Sequence, residues 1–192
     1  MTISAKNAKE VENRTATLSN AVDLLRTPNL KLGTEEEKRK EISLYFINTF
    51  DTYTQLFDCL LDDDGFYQKS IPLRHPLIFY LGHTATFFVN KLVLAKLLPE
   101  RIDPRMESMF AVGVDEMSWD DLSDESYDWP SVSEVKGYRA KVRASVLQLI
   151  ESLQLTLPIN WESSWWPIIM GIEHERIHLE TSSVLIRQHD LS

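Results

Sequence analysis

The chain has 192 residues, of which 43% are hydrophobic and 10% aromatic, so it is long and apolar enough to fold around its own core. Its formal net charge of −9 argues against broad electrostatic binding to nucleic acid. A single cysteine, Cys59, excludes an internal disulfide and suits a reducing compartment. The N-terminus has no signal-peptide pattern, and no apolar run approaches the roughly 18–20 residues of a membrane helix. We therefore expect a cytoplasmic protein that binds neither membrane nor nucleic acid.

Two parts are predicted along the chain. Residues 1–33 form a polar N-terminal arm with one short amphipathic helix, which Pro28 ends. Residues 34–192 form the folded domain. No segment shows a convincing period-2 alternation, so the domain is predicted to be all-α. Four long helices and one long crossover loop indicate a four-helix bundle, which we expect to be antiparallel.

Capping and proline signals predict the first two long helices. Thr34 and Glu37 form a capping box, and the helix that follows is expected to run as far as Gly65. Pro76 suits the first position of the second helix, and Pro99 is expected to end it. This second helix is apolar nearly all round, as a buried helix should be.

The third and fourth long helices follow the crossover. Between 115 and 128 the crossover carries seven acidic residues and no basic residue, which is typical of a solvated loop. Ser131 and Glu134 form a second capping box, which opens the third helix. The fourth helix is expected from about 162 to 188. The two tryptophans of the segment SSWWP either pack its start or form an exposed surface for a partner.

Two histidines of the fourth helix carry the strongest chemical signal. In GIEHERIHLE, His174 and His178 stand about one helical turn apart, so both side chains point the same way and can bind one metal ion. Core histidines that only hydrogen-bond to their neighbours are the alternative. Glu175 completes an H-E-x-x-H pattern, but Thr181 and Val184 replace the Gly and His of the metzincin motif. A zinc protease is therefore not expected.

A third metal ligand must come from another helix. His83 lies inside the apolar second helix, where a histidine is either paired or a ligand, and it joins His174 and His178 as the predicted metal set. His75 and His189 are expected to be structural or exposed. Three neutral imidazoles leave open coordination positions, and their chemistry alone does not choose between iron, zinc and nickel.

Two further positions lie on the stripes of the predicted ligands. Asn90 shares the helical stripe of His83 and is a candidate for contact with a ligand side chain. Gly171 lies about one turn before His174. Its missing side chain either leaves room for a substrate or lets two helices approach.

Three sequence blocks carry a resemblance to a known family. PLRHPLIFYLGHTATFFVNKL, GVDEMSWDDL and WWPIIMGIEHERIHLETSSVLIRQ, in this order, resemble the DinB-like N-terminal domain of the 5-histidylcysteine sulfoxide synthases of ovothiol biosynthesis, to which the ergothioneine-pathway synthases are related. The resemblance implies a non-haem iron(II) held by His83, His174 and His178. It also implies that the enzyme joins cysteine sulfur to an imidazole carbon of histidine and consumes dioxygen. Glu180 completes the motif H-x-x-x-H-x-E, but it lies about 200° round the helix from His178. We expect Glu180 to pair with another side chain and not to touch the metal.

The synthases of this family continue into a domain like the formylglycine-generating enzymes, which supplies much of their substrate pocket. This chain ends at Ser192, so the isolated chain is not expected to form the sulfoxide. Two other functions remain open on the sequence: a free-standing DinB-like thiol transferase that uses zinc or nickel, and a non-catalytic interaction bundle. The sequence assigns no catalytic or substrate-binding residue.

Overall fold

The computed structural model describes residues 26–111 and 127–189. Two predictions lie outside the described residues: the short N-terminal helix and most of the acidic crossover. In the described part of the chain all regular structure is helical. The elements are α1 (Glu35–Leu56), a 3₁₀ segment (Phe57–Cys59), α2 (Asp64–Tyr67), α3 (Leu77–Leu94), α4 (Pro104–Met109), α5 (Val132–Ser152) and α6 (Trp166–Arg187). The prediction of an all-α bundle of four long helices is confirmed.

Both predicted capping boxes are present. The Thr34 hydroxyl accepts a hydrogen bond from the Glu37 amide at 3.2 Å, and the Glu37 carboxylate accepts one from the Thr34 amide at 3.0 Å. Ser131 and Glu134 exchange the same pair of bonds at the start of α5. Each box satisfies amide groups that have no partner within the first helical turn, so the sequence determines where these two helices begin.

Two predicted helix ends are wrong. Helix α1 ends at Leu56, and the chain then passes through the 3₁₀ segment into α2, so that Gly65 lies inside a second short helix. Helix α3 ends at Leu94, well before Pro99, because Lys96 adopts a left-handed conformation with φ of 59°. Single proline and glycine signals therefore overestimate the length of both helices.

The four long helices are not all antiparallel. Contacts between α1 and α6 advance together along both helices, from Tyr45 with Glu173 to Tyr53 with Ser182, so this pair runs parallel. Helices α3 and α5 both run opposite to α1, as the contacts of α1 with Phe88 and Tyr80 and with Ile150 and Arg139 show. The crossover therefore joins two parallel helices, which requires a long connection.

Helix α3 is the most buried of the four long helices. Twelve of its 18 residues are buried. It is the one helix in the described ranges that is long and apolar enough to cross a membrane, with a mean hydropathy of 1.4, which corrects the sequence-based statement that no segment approaches this limit. Because 67% of the same stretch is buried inside the bundle, its composition is accounted for by the protein core.

The first tryptophan of SSWWP packs the start of α6. Trp165 is fully buried, and its indole N–H donates to the carbonyl of Gln154 at 2.9 Å. The guanidinium of Arg39 lies over its ring at 5.2 Å from the centroid. Trp166 is half-buried against the core. Of the two alternatives, the packing role is therefore the one found for Trp165.

Gly171 allows α3 and α6 to approach each other. A Cβ atom at this position would lie 2.3 Å from Cε1 of Phe88, whose side chain is fully buried. Phe88 in turn packs edge-on against Phe46, with ring centroids 5.5 Å apart. Helix packing, and not space for a substrate, is thus the reason for a glycine here.

Gly171→Ala is expected to destabilise the fold by about 1–3 kcal/mol, because the buried Phe88 ring has no room to move away. Gly137→Ala on α5 is the matched control, since a Cβ there meets no atom within 4 Å. The control should stabilise the protein by about 0.5–1 kcal/mol through helix propensity alone. Urea unfolding of both variants measures the difference, and equal effects would contradict the packing role of Gly171.

Candidate metal centre

Three histidines from two helices meet inside the bundle. The ring centroid of His83 on α3 lies 5.0 Å from that of His174 and 4.8 Å from that of His178, and the two rings on α6 are 4.5 Å apart. One ring nitrogen from each residue lies within 4.8 Å of the other two. The structure therefore brings together the three residues that the sequence predicts as ligands. Metal binding by them remains a prediction.

Aromatic neighbours hold two of these rings in place. Phe87 stacks on His174 with a centroid distance of 3.8 Å and an interplanar angle of 8°, and Phe79 stacks on His83 at 5.2 Å and 13°. Nδ1 of His83 lies 2.8 Å from the backbone carbonyl oxygen of Phe110. A carbonyl only accepts, so Nδ1 carries the proton and Nε2 carries the lone pair that a metal requires.

The close approach of Phe110 to α3 depends on a glycine. A Cβ atom on Gly82 would lie 2.5 Å from the Phe110 ring. Phe110 is fully buried and follows directly after helix α4. Gly82 therefore lets the chain after α4 reach α3, where the Phe110 carbonyl sets the tautomer of the neighbouring His83.

The two histidines of α6 are neutral at physiological pH. Burial, followed by the neighbouring imidazoles, lowers the pKa of His174 to about 3, and burial together with His83 lowers the pKa of His178 to about 4. Their Nδ1 atoms are buried and have no hydrogen-bond partner among the described residues. Neutral imidazoles with unsatisfied nitrogens fit a metal site, because no proton has to leave before a metal binds.

The cluster is close to the geometry of a three-histidine site without matching it fully. Metal–nitrogen bonds of about 2.0–2.1 Å place the ligand nitrogens roughly 3–3.4 Å apart. The limit of 4.8 Å between the nitrogens here is larger.

The cluster borders a cavity of about 610 Å³ between the start of α3 and the end of α6. His83 and His178 form part of its wall, together with Tyr80, whose ring centroid is 6.1 Å from that of His178. Arg74 and Glu180 line the same wall and are exposed to solvent. A small molecule in this cavity would therefore contact two of the three imidazoles.

The two remaining histidines lie outside the cluster. His75 is buried, and its ring packs on Phe79 with a centroid distance of 4.3 Å. Nδ1 of His189 lies 3.3 Å from the hydroxyl oxygen of Ser70. Neither belongs to the group of residues placed to hold a metal. The structural role predicted for them stays a prediction, and His75 also lines the cavity beside the cluster.

Glu180 and Asn90 are the two further residues that the sequence singled out near the ligands. The side chain of Glu180 is exposed and lies outside the group of residues placed to hold a metal, and no ion pair or side-chain hydrogen bond involves its carboxylate within the described ranges. The pairing expected for Glu180 stays a prediction. Asn90 is half-buried and lies two turns from His83, roughly 10 Å along the helix axis. It does not line the cavity, so its contact with a ligand side chain remains an untested prediction.

Glu175 turns away from the cluster and into the core. Its carboxylate accepts hydrogen bonds from Arg139 at 2.8 Å and from the Thr84 hydroxyl at 3.0 Å. The Glu175 and Arg139 side chains are only 0% and 1% exposed. Burial raises the pKa of the Glu175 carboxyl, and the Arg139 guanidinium opposes this shift. A buried, paired carboxylate cannot activate water at the cluster, which agrees with the prediction that H-E-x-x-H is not a protease motif here.

The ion pair between Glu175 and Arg139 is the important element that sequence analysis missed. The two residues lie on different long helices, and no local spacing rule connects them. One available signal is that Arg139 falls at helical spacing among the apolar residues Val135, Val142 and Val146, where a charge requires a buried partner.

The profile of the DinB superfamily matches residues 45–182, so the chain belongs to this superfamily of helical-bundle proteins. Within it, the chain is similar to ergothioneine biosynthesis protein 1 of Neurospora crassa, with 29% identity over 154 residues, which is 74% of this chain and 16% of that protein. It is also similar to ergothioneine biosynthesis protein 1 of Schizosaccharomyces pombe, with 28% identity over 134 residues, which covers 64% of this chain and 16% of that protein. The DinB-like assignment is thereby confirmed.

Alanine variants of the five histidines test the ligand set. His83→Ala, His174→Ala and His178→Ala are each expected to weaken iron(II) binding by more than about 100-fold, because losing a ligand costs more than losing an outer contact to one. His75→Ala and His189→Ala should retain the affinity, since neither residue joins the cluster. Anaerobic iron(II) and zinc(II) titrations, with circular dichroism to check folding, measure the effect. Equal affinity in all five variants would rule out the proposed site.

Glu175→Gln separates the buried ion pair from the metal site. The variant is expected to lose roughly 3 kcal/mol of stability, because Arg139 stays buried without its countercharge. Its metal affinity should not change in the folded protein, since the side chain faces away from the cluster and the glutamine carbonyl can still accept from Arg139 and Thr84. Glu180→Gln on the same helix is the exposed control and should change stability by less than about 0.5 kcal/mol. Loss of metal binding in a folded Glu175→Gln protein would contradict this assignment.

Proposed function

We propose that this chain is the iron(II)-binding module of a 5-histidylcysteine sulfoxide synthase, which couples the sulfur of cysteine to the imidazole of histidine. The observation that carries this proposal is the convergence of His83, His174 and His178 beside a cavity of about 610 Å³. Membership of the DinB superfamily and similarity to two ergothioneine biosynthesis proteins support it.

The three imidazoles would hold iron(II) through neutral nitrogens, and the hydrogen bond of His83 to the Phe110 carbonyl fixes one of the tautomers. When bound, iron(II) supplies the capacity to activate dioxygen at coordination positions that the protein leaves open. The overall reaction balances without another reductant. One dioxygen accepts four electrons, two from carbon–sulfur bond formation and two from oxidation of sulfur. One oxygen atom enters the sulfoxide and the other becomes water.

The residues around the cluster prepare it for this chemistry. Phe79 and Phe87 cover the faces of two imidazoles. His83 and His178 line the cavity, together with Phe79. Burial keeps His174 and His178 neutral, and in this proposal an amino-acid substrate enters the cavity and meets the metal at this wall.

The activity belongs to a longer polypeptide in this proposal. The chain spans 16% of the length of the two curated relatives. A domain like the formylglycine-generating enzymes would complete the substrate pocket, and residues 34–192 would form the metal-binding domain. Histidine, cysteine and dioxygen would be the substrates, in the cytoplasm.

The test is product formation by the full-length polypeptide that contains this chain. Loaded anaerobically with iron(II) and then given histidine, cysteine and oxygen, it should form a product with the mass of the coupled amino acids plus one oxygen. His174→Ala should abolish the product, and His189→Ala should retain it. The isolated chain is expected to bind iron but to form no sulfoxide at a useful rate. Failure of the iron-loaded full-length polypeptide to make the sulfoxide would reject the proposal.

A DinB-like thiol transferase is the second candidate, because three imidazoles beside an open cavity also suit zinc or nickel. Iron(II), zinc(II) and nickel(II) can be compared in one assay for thiol transfer to an electrophile. Thiol transfer with zinc or nickel, together with no oxygen consumption with iron, would favour this alternative.

A further inference from the structure

Two opposite charges line the wall of the cavity beside the histidine cluster. Arg74 lies just before α3, and Glu180 lies on α6 two residues after His178. Both side chains are exposed, and in the described part of the chain neither forms an ion pair with the other or with a third residue. Their relative position is set by the packing of α3 against α6, the same packing that assembles the imidazoles.

Opposite charges that border one cavity without neutralising each other suit a ligand that carries both charges. A guanidinium binds a carboxylate through two parallel N–H···O bonds, and a carboxylate accepts hydrogen bonds from an ammonium group. The α-carboxylate and α-ammonium of a free amino acid are attached to the same carbon. An amino-acid zwitterion therefore matches this wall better than a simple anion or cation.

The rest of the wall indicates the kind of side chain. Phe79 and Tyr80 line the same wall, and the Tyr80 ring lies 6.1 Å from that of His178. A planar aromatic ring packs well against such a surface. Thr181 and Gln188 add neutral hydrogen-bonding groups to the same wall.

We propose that Arg74 binds the α-carboxylate and Glu180 the α-ammonium of histidine, whose imidazole then extends along Tyr80 toward His83 and His178. This assignment rests on the proposed function and names the residues that position its aromatic substrate. It gives Glu180 a role as a substrate contact, in place of the side-chain pairing expected from the sequence.

The test pairs two variants with three ligands on the metal-free protein, so that neither iron binding nor turnover enters the measurement. The ligands are histidine, histamine, which lacks the carboxylate, and imidazolepropionate, which lacks the ammonium group. Arg74→Gln should weaken binding of histidine and imidazolepropionate by about 10-fold or more and leave histamine unchanged. Glu180→Gln should weaken histidine and histamine and leave imidazolepropionate unchanged. Isothermal titration or NMR chemical shifts provide the dissociation constants.

Lys141→Gln and Glu151→Gln on α5 are the matched controls, because both remove an exposed charge of the same sign away from the cavity. They should leave all three affinities unchanged. Equal histidine affinity in both cavity variants and the unmodified protein overturns this inference, as does an equal loss of all three ligands in either variant. Neither result affects the proposed function, which fails only if the iron site or sulfoxide formation is absent.

Discussion

The buried ion pair between Arg139 and Glu175 is the interaction on which the arrangement of the bundle depends. Arg139 on α5 donates to Glu175 on α6, to the Leu81 carbonyl and the Thr84 hydroxyl on α3, and to the Thr54 hydroxyl on α1. One guanidinium thus contacts the other three long helices. Buried charges are costly unless every donor is satisfied. Because these donors find partners only when all four helices are in register, the pair favours one arrangement over alternative packings of the same apolar faces.

The same ion pair positions the histidines. On α6, His174 lies about 100° and His178 about 60° to one side of Glu175, so fixing Glu175 toward Arg139 directs both imidazoles toward α3. On α3, Thr84 bonds to Glu175, and His83 precedes it directly. The ion pair with its Thr84 contact and the histidine cluster therefore lie on adjacent faces of helices α3 and α6. A shift of α3 along α6 would break both at once, which couples the stability of the fold to the geometry of the site.

Features that depend on local sequence patterns could be predicted, and features that depend on contacts between distant segments could not. The capping boxes at Thr34 and Ser131 and the one-turn spacing of His174 and His178 are local patterns, and all three hold in the structure. His83 was found because a histidine in an apolar helix needs a partner. The parallel course of α1 and α6, the close packing at Gly171 and the Arg139 ion pair depend on contacts between distant segments. No spacing rule reports such contacts, so they required the structure.

The candidate site has a buried part, formed by the imidazoles, and a solvent-exposed part, formed by the cavity wall at Arg74 and Glu180. Around the imidazoles, burial disfavours the protonated form, so His174 and His178 stay neutral and can act as ligands. At the cavity wall, the side chains of Arg74 and Glu180 are exposed to water. In the proposed binding mode, the charged end of the amino acid lies at the exposed part of the cavity and its ring lies at the buried part.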